Sequence, residues 1–361
     1  KEIINKINIK ISNLDNNDHI AKIYERMQSE IDWNNKYLNE IDKWIIKNKL
    51  KSKIVYIDHH LSHAAGAYLT SPFNESLIFT CDGKGNFKSS TIMKAKKHLI
   101  NEIDFNTTYD SLGYFYGNIT KSLGYEAEKH EGKITGLAAF GNENKFLKLL
   151  KEKIFTKNDE IDLNFGDYYL PWFCEKNELP FFYKEVEKYK KEDVAAASQK
   201  ILEDTICCWI NNSVKKYVGK KTNICLSGGV FSNVKLNQKI KELKTVKNVF
   251  VQPAMGDMGI PLGSCLYQYS KDKKKSFGFL NTMSLGPKYS NNNIKIILNK
   301  YNLKYKYSEN LEIDFFKYIS KNKVIGFFNG RMEYGPRALC NRTIFYHCRD
   351  KNVNNWLNKR L

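Results

Sequence analysis

The pattern of apolar and polar positions along the chain predicts an α/β protein. Residues 20–50 place apolar side chains three and four positions apart, as on one face of a helix, and the apolar run IVYI at 54–57 predicts a short strand. A helix through AAGAYL follows, then a buried strand at SLIFTCDG (76–83) and further strands at STIMKA and HLINEIDF. Alternating strands and helices are typical of an α/β fold.

The alternation continues towards residue 275. The segments DSLGYFYGNITKSLGY and EGKITGLAAFG favour helices, and residues 193–217 carry the strongest helical pattern of the chain. NICLSGG and VFVQPAMGDMG each predict a strand that ends in a glycine turn, with a helix over VFSNVKLNQKIKEL between them. The aromatic and irregular residues 155–185 predict a surface insertion.

The length of 361 residues exceeds one ordinary hydrophobic core, so we expect two domains. Residues 1–275 form the first domain and residues 276–290 a linker. Residues 291–361 form the second domain, with the helix LEIDFFKYISKN and the strand KVIGFF. The chain starts without Met and stops soon after Trp356. We therefore expect a fragment, with the first domain incomplete at its N-terminus and the second truncated.

The composition excludes several classes of protein. The chain is 42% hydrophobic, and no apolar run approaches the eighteen or so residues of a membrane span, so no membrane partner is expected. The net charge of +19 comes from lysines scattered along the chain, with one tract at 271–275, and nucleic acid is not the expected partner. Eight cysteines without a CxxC pair favour reduced thiols and a cytoplasmic location.

The stretch DHHLSH (58–63) holds three of the seven histidines. His59 and His63 are four residues apart, so on a helix they share a face and can bind one metal ion. A zinc peptidase would have Glu after the first histidine, but His60 stands there, so that alternative lacks its general base. Asp82 and Asp257 follow predicted strands, and two histidines with two carboxylates suit Fe(II), or else Zn(II) or Mn(II).

Three glycine loops provide a second signal. DGKG (82–85), LSGG (226–229) and GDMG (256–259) each follow a predicted strand, where backbone N–H groups can approach a phosphate. One such loop is a weak signal and is more often a simple turn. Three in this order are typical of the two-lobed phosphate site of actin-like ATPases.

Six motifs in sequence carry a family resemblance: DHHLSHAAGAY, TCDGKGN, HEGKITGLAAFG, LSGGVFSNVKLN, VQPAMGDMGIPLG and NGRMEYGPRALCNRTI. In this order they resemble the O-carbamoyltransferases of nodulation-factor and antibiotic biosynthesis. The resemblance implies an actin-like (ASKHA, RNase H-like) two-lobed domain, similar to tRNA threonylcarbamoyltransferases, followed by the start of an α/β domain that forms carbamoyl-adenylate. It also implies transfer of a carbamoyl group from carbamoyl phosphate, via carbamoyl-adenylate made with ATP, to a hydroxyl of a sugar-like or natural-product acceptor.

The resemblance also implies roles for single residues, with Fe(II) and ATP as cofactors. The implied metal ligands are His59, His63, Asp82 and Asp257. The implied nucleotide-binding residues are Gly83, Gly85, Gly228, Gly229, Asn233 and Arg331. Lys133 and Arg337 are the expected catalytic residues, both directed at phosphate or carbamoyl oxygens, with Arg342 a third and weaker candidate. For His60, a structural or solvated role is expected instead of metal binding.

The chain departs from the family pattern at three points. Nothing before Ile54 resembles the strand with a His-Asp-Ser stretch that usually opens the family. Cys340 replaces the glycine of PRALGNRS, and Asn86 stands where Glu is common. A completed chain would bind carbamoyl phosphate, ATP and a small hydroxylated acceptor, and a homodimer is also expected.

Two alternatives stay open at this point. The positive charge favours a tRNA threonylcarbamoyltransferase, but that family lacks GRMEYGPRA in the same chain. The second alternative is a non-catalytic, nucleotide-binding remnant of the fold. The presence of His59, His63, Asp82 and Asp257 together argues against complete loss of the metal site.

Overall fold

The computed structural model describes residues 2–143, 145–157, 159–165, 175–177, 179, 181–347, 349 and 353–358. The chain divides into two compact units, Lys1–Phe279 and Leu280–Leu361. The helices of the first unit are α1 (Glu2–Ile11), α2 (Asn17–Lys47), α3 (His59–Tyr68), α4 (Leu112–Ser122), α5 (Glu131–Leu137), α6 (Lys145–Lys151), α7 (Lys191–Tyr217), α8 (Val234–Lys241) and α9 (Ile260–Lys273). Its strands are β1 (Glu75–Gly85), β2 (Lys88–Lys96), β3 (Leu99–Thr107), β4 (Ile154–Lys157), β5 (Glu160–Leu163), β6 (Thr222–Ser227) and β7 (Val246–Val251).

A mixed five-stranded sheet organises the first unit, in the order β3-β2-β1-β6-β7. Strands β1, β2 and β3 form an antiparallel meander, and β6 and β7 continue the sheet parallel to β1. The hairpin between β1 and β2 turns at Asn86 and Phe87, both with positive φ. This sheet has the actin-like α/β arrangement predicted from the sequence. It is the one five-stranded sheet within the described residues of this unit.

The two faces of the sheet carry separate cores because neighbouring side chains of a strand point to opposite faces. Leu77, Phe79 and Cys81 of β1 belong to the larger core, where the Phe79 and Trp209 rings lie 5.1 Å apart. Ile78 belongs to the smaller core with the alanines of α3 and with Leu266 of α9. Helix α3, which begins with the histidines, is therefore pinned directly onto the sheet.

Two sequence predictions in this unit are wrong. IVYI at 54–57 forms no strand, and Val55 and Tyr56 are 48% and 58% exposed. Residues 155–185 are not a surface insertion where they are described, because β4 and β5 form a hairpin whose Ile161 and Leu163 are buried in the larger core. Residues 166–174 of that segment lie outside the described residues.

The second unit contains α10 (Asn291–Lys300), α11 (Leu311–Ile319), β8 (Ile325–Phe328), β9 (Arg342–Phe345) and α12 (Val353–Asn358). Strands β8 and β9 pair antiparallel, and the Phe315 ring packs edge-on against Phe345 at 5.1 Å. Residues 276–290, predicted as a linker, carry neither helix nor strand. Within the described part of the chain, no helix has both the length and the apolar character needed to cross a bilayer.

Candidate metal centre

Helix α3 brings His59 and His63 to one face, and its start is fixed by two side chains. Asp58 is the N-cap and accepts the N–H of Leu61 at 2.9 Å. Oδ1 of Asn86, in the β1–β2 turn, accepts the N–H of His59 at 3.0 Å. Because capping residues supply acceptors for the otherwise unpaired N–H groups of a first turn, they fix where the helix begins and which way the histidines point.

The two carboxylates reach the same point from the ends of strands. Asp82 follows the core residues of β1, and Asp257 lies in a short 3₁₀ turn directly before α9. One ligand atom from each of His59, His63, Asp82 and Asp257 lies within 4.8 Å of the other three. The sequence predicted this convergence, and the structure brings all four residues together.

The separations between these atoms match a shared coordination sphere. Nε2 of His63 lies 3.0 Å from Oδ2 of Asp82 and 3.3 Å from Oδ1 of Asp257. Nε2 of His59 lies 3.8 Å and 3.7 Å from the same two oxygens. Ligand bonds of about 2.0–2.2 Å place neighbouring ligand atoms roughly 3–3.5 Å apart. The four groups therefore need only small movements to bind one ion.

Three of the four ligand atoms are buried polar atoms without a hydrogen-bond partner. They are Nε2 of His59, Nε2 of His63 and Oδ2 of Asp82. Buried polar atoms nearly always have a hydrogen-bond partner. Three without one at a single point therefore indicate that these atoms bind a group that accepts their lone pairs. A divalent cation fits this donor set of two imidazoles and two carboxylates. The Asp257 side chain is 72% exposed and marks the open side of the site.

Within the cluster, the interactions of Asp82 and His63 with their neighbours outweigh the effect of burial on their pKa values. Burial by itself raises the pKa of Asp82, but His59, His63 and the Gly83 N–H outweigh it, and the pKa of Asp82 is lowered well below its ordinary range. Burial lowers the pKa of His63, but Asp257 and Asp82 outweigh this and raise it to about 9. The Asp82 and Asp257 carboxylates therefore favour positive charge beside them.

His60 is a neutral structural residue, as expected for it. Its Nε2 donates to the backbone oxygen of Lys88 at 3.1 Å, and its Nδ1 accepts from Oγ1 of Thr80 at 2.8 Å. Thr80 is paired in turn with Thr91 at 2.7 Å. Burial and then His59 lower the pKa of His60 to about 4. His60 thus ties α3 to β1 and β2 without contributing a ligand.

The predicted nucleotide glycines surround the metal cluster and allow its close packing. A Cβ at Gly85 would lie 2.1 Å from the His59 ring, and one at Gly229 would lie 3.0 Å from Oδ1 of Asp82. Gly228 has φ of +102°, and a Cβ there would lie 2.3 Å from the backbone oxygen of Cys81. The N–H of Gly83 donates to Oδ1 of Asp82 at 2.8 Å. These residues have packing roles here besides the nucleotide contact implied for them.

Asn233 and Lys133 lie away from direct contact with the four ligands. Asn233 caps α8 by accepting the N–H of Leu236, and its amide exchanges two hydrogen bonds with Gln199. Lys133 is exposed on α5. Among the described residues its side chain forms no hydrogen bond or ion pair with any of the four.

The predicted arginines lie in the second unit. Arg331 is exposed and donates to the backbone oxygen of Leu285 at 3.2 Å, and Arg337 is also exposed. Arg342 donates to the carbonyls of Asn329 and Asn341 at 2.7 and 3.0 Å, and it stacks over Phe328 at 3.6 Å. Its guanidinium therefore stabilises the loop. A guanidinium that binds phosphate would instead direct its N–H groups at the ligand.

Sequence reasoning missed three residues with clear structural roles: Asn86, Ser227 and Glu333. Asn86 was noted only because it replaces Glu, although Asn is a common helix-capping residue. Ser227 was read as part of a glycine loop, and its hydroxyl lies beside His63. Glu333 has no sequence signal, since its partners are backbone N–H groups that come together only in the folded loop.

The fold and the site define an α/β protein of actin-like type with a candidate metal centre at the ends of its strands. The chain matches the family described as Carbamoyltransferase N-terminus over residues 2–266, and Carbamoyltransferase C-terminus over residues 316–361. The chain therefore belongs to the carbamoyltransferase family.

Several known proteins are similar to the chain. The uncharacterized protein MJ1058 of Methanocaldococcus jannaschii is 31% identical over 362 residues, covering 91% of this chain and 58% of the relative. The nodulation protein NolO of Bradyrhizobium diazoefficiens is 29% identical over 300 residues, covering 80% of this chain and 53% of NolO. The tRNA N6-adenosine threonylcarbamoyltransferase of Thermosipho melanesiensis is 26% identical over 209 residues, covering 56% of this chain and 58% of that enzyme. The chain thus spans about half the length of these relatives.

Among solved structures, HypF of T. kodakarensis superposes with a TM-score of 0.40 at 12% identity. The superposition covers 63% of this chain and 38% of HypF.

Proposed function

We propose that this chain takes part in O-carbamoyl transfer, from carbamoyl-adenylate made with carbamoyl phosphate and ATP, to a hydroxyl of a small sugar-like acceptor. The observation that carries the proposal is the convergence of His59, His63, Asp82 and Asp257 at one point in a chain of the carbamoyltransferase family. The acceptor class is the one implied by the resemblance to the O-carbamoyltransferases of nodulation-factor biosynthesis, and the similarity to the nodulation protein NolO agrees with that resemblance.

The four residues would hold Fe(II), or else Zn(II) or Mn(II). A bound ion supplies Lewis acidity towards the carbamoyl oxygen. Oδ1 of Asp82 accepts the Gly83 N–H, which restricts rotation of the carboxylate. Oδ2 would then bind the ion. The exposed Asp257 leaves an open side by which the substrates approach.

In the proposed transfer, the acceptor oxygen forms a bond to the carbamoyl carbon. The bond between that carbon and the phosphate oxygen breaks, AMP leaves with the electron pair, and the hydroxyl proton is released. No serine or cysteine nucleophile is needed. In the second unit, Arg331 and Arg337 supply guanidinium groups for phosphate oxygens during formation of carbamoyl-adenylate. We also propose a cytoplasmic location, supported by six free cysteines among the described residues.

The test separates formation of the donor from transfer. The chain is incubated with labelled carbamoyl phosphate, ATP, Fe(II) and a panel of sugar acceptors, and both pyrophosphate and carbamoylated product are measured. Arg337→Ala should stop ATP-dependent release of pyrophosphate, since a phosphate contact is lost. His59→Ala should spare that release and stop formation of the product.

Two results would contradict the proposal. If both variants fail at the same step, the division of labour between the two regions is wrong. If tRNA is labelled from threonine and bicarbonate with no turnover of carbamoyl phosphate, the chain acts on RNA instead. Binding of tRNA as substrate should also weaken steeply between 50 and 200 mM salt, by about tenfold or more for a few phosphate contacts.

A further inference from the structure

The second ring nitrogen of His63 has a partner of its own. Nε2 of His63 faces Asp82 and Asp257, whereas Nδ1 lies 3.3 Å from Oγ of Ser227. Oγ of Ser227 lies 3.1 Å from the backbone oxygen of Met255. His63 is 1% exposed and Ser227 is 2% exposed, so bulk water does not compete for these contacts.

The directions of the two hydrogen bonds of Ser227 follow from the Met255 carbonyl, which can only accept. The Met255 carbonyl has no proton, so the Ser227 hydroxyl donates to it. The hydroxyl has a single proton, and a lone pair is therefore what faces Nδ1 of His63. Nδ1 accordingly carries a proton, and when a metal is bound Nε2 provides the lone pair that the metal requires.

The backbone fixes the Ser227 hydroxyl in this place. Ser227 is the last residue of β6 and pairs with Thr80 of β1 in the parallel register. The next residue, Gly228, donates its N–H to the same Met255 oxygen at 2.6 Å. Ser227 and Gly228 therefore share one acceptor, and the loop after β6 is tied to the loop after β7.

We infer that Ser227 is a positioning residue, which fixes the proton on Nδ1 of His63 and so aims the Nε2 lone pair at the metal. The inference rests on the proposed metal centre and adds to it a residue outside the ligand set. Histidines that bind metals commonly donate their other ring N–H to an oxygen, and loss of that oxygen typically weakens metal binding by about 10- to 100-fold.

The test compares Ser227→Ala with Ser62→Ala, since each removes one buried serine hydroxyl near the site. Ser62 lies on α3 between the two histidines, and its hydroxyl contacts the Asp58 carbonyl and Ser264 instead of an imidazole. The Co(II) affinity of the full chain is measured by competition with a coloured chelator. We expect about tenfold or more weakening for Ser227→Ala. Ser62→Ala should bind Co(II) like the unaltered chain, and Ser227→Thr, which keeps the hydroxyl, should recover most of the affinity.

A spectroscopic signature separates positioning from general loss of structure. In the Co(II)-bound chain, the paramagnetic ion shifts the ring N–H protons of ligand histidines away from other resonances. The shifted Nδ1–H signal of His63 should persist in water in the unaltered chain and in Ser62→Ala. It should broaden or exchange away in Ser227→Ala.

Unchanged Co(II) affinity and a retained N–H signal in a folded Ser227→Ala protein would overturn the inference. Equal weakening in Ser62→Ala would also overturn it, because the effect would then belong to any buried serine of the region. If even the unaltered chain binds no Co(II), the metal centre itself is wrong and the inference fails with it.

Discussion

Glu333 holds a loop of the second unit through a single carboxylate oxygen. Its Oε1 accepts the N–H groups of Leu339, Asn341 and Arg342 at 2.9, 2.7 and 3.0 Å. Burial by itself raises the pKa of Glu333, but these backbone N–H groups outweigh it and lower the pKa from 4.5 to about 2. The carboxylate is therefore needed in its charged form for the loop to keep this arrangement.

The lowered pKa of Glu333 predicts acid sensitivity of the second unit. A group whose pKa falls on folding stabilises the folded state above its unfolded pKa and loses that contribution as pH falls through the folded value. Glu333 should therefore make the second unit less stable as pH falls from about 4.5 to about 2. Urea unfolding followed at several pH values checks this. Glu333→Gln should flatten the pH dependence in that window, whereas an equal slope in both proteins would contradict the assignment.

Cys340 lies in the same loop with a backbone conformation that suits glycine. Its φ of +70° is in the left-handed region, which costs an ordinary residue about 1–2 kcal/mol. Cys340→Gly should therefore raise the free energy of unfolding of the second unit by about 1 kcal/mol, after the extra chain entropy of glycine is counted. Cys265→Gly is the matched control, because Cys265 is an exposed residue within α9 and glycine should destabilise that helix. A loss of stability in Cys340→Gly would be the contrary result.

At the scale of elements, the metal cluster depends on the close crossing of α3 and α9. A Cβ at Gly66 would lie 3.5 Å from the Cα of Gly263, and one at Gly263 would lie 1.9 Å from the backbone oxygen of Ser62. Because α3 carries both histidines and α9 begins just after Asp257, their separation sets the geometry of the site.

Gly263→Ala should push α9 away from α3. Overpacking of a tight contact typically costs about 1–3 kcal/mol, and we expect the free energy of unfolding of the first unit to fall by that amount. Gly136→Ala on α5 is the control, because a Cβ there meets nothing within 4 Å and alanine favours a helix. Thermal and urea unfolding of both variants check the prediction. Equal stability of the two variants would mean that the crossing is not tightly packed.

The element predictions succeeded where a local signal agreed with burial. The helix predicted through AAGAYL is α3, and β1 follows from an apolar run that lies in the middle of the sheet. IVYI has the same local signal as a strand, but no described strand pairs with it, and sequence alone does not show whether a partner strand is present. The β4–β5 hairpin was missed because its buried side chains belong to a core shared with residues of α7 and α4, which are distant in sequence.

At the scale of the whole molecule, the sequence predicted that His59, His63, Asp82 and Asp257 would meet, but not how they are held. His59 and His63 are linked by helical spacing, and the two carboxylates by their places after strands, so their convergence follows from general rules of α/β folds. The tautomer of His63 depends on Ser227 and on the Met255 carbonyl, which no spacing rule connects. Likewise, the glycine loops predicted that another group would approach the backbone closely. That this group is the His59 ring, which fills the space beside Gly85, is evident only in the fold.

The most direct test of the central claim is the metal content of the purified chain loaded with Fe(II) without oxygen. We expect one bound iron per chain in the unaltered protein and in the control His130→Ala, which changes a histidine outside the cluster. His63→Ala should bind no stoichiometric iron while its far-UV circular dichroism stays unchanged, since the variant loses a ligand whose Nε2 lies 3.0 Å from Asp82. A full equivalent of iron in folded His63→Ala, or none in the unaltered chain with Fe(II), Zn(II) or Mn(II), would show that these four residues do not form a metal site.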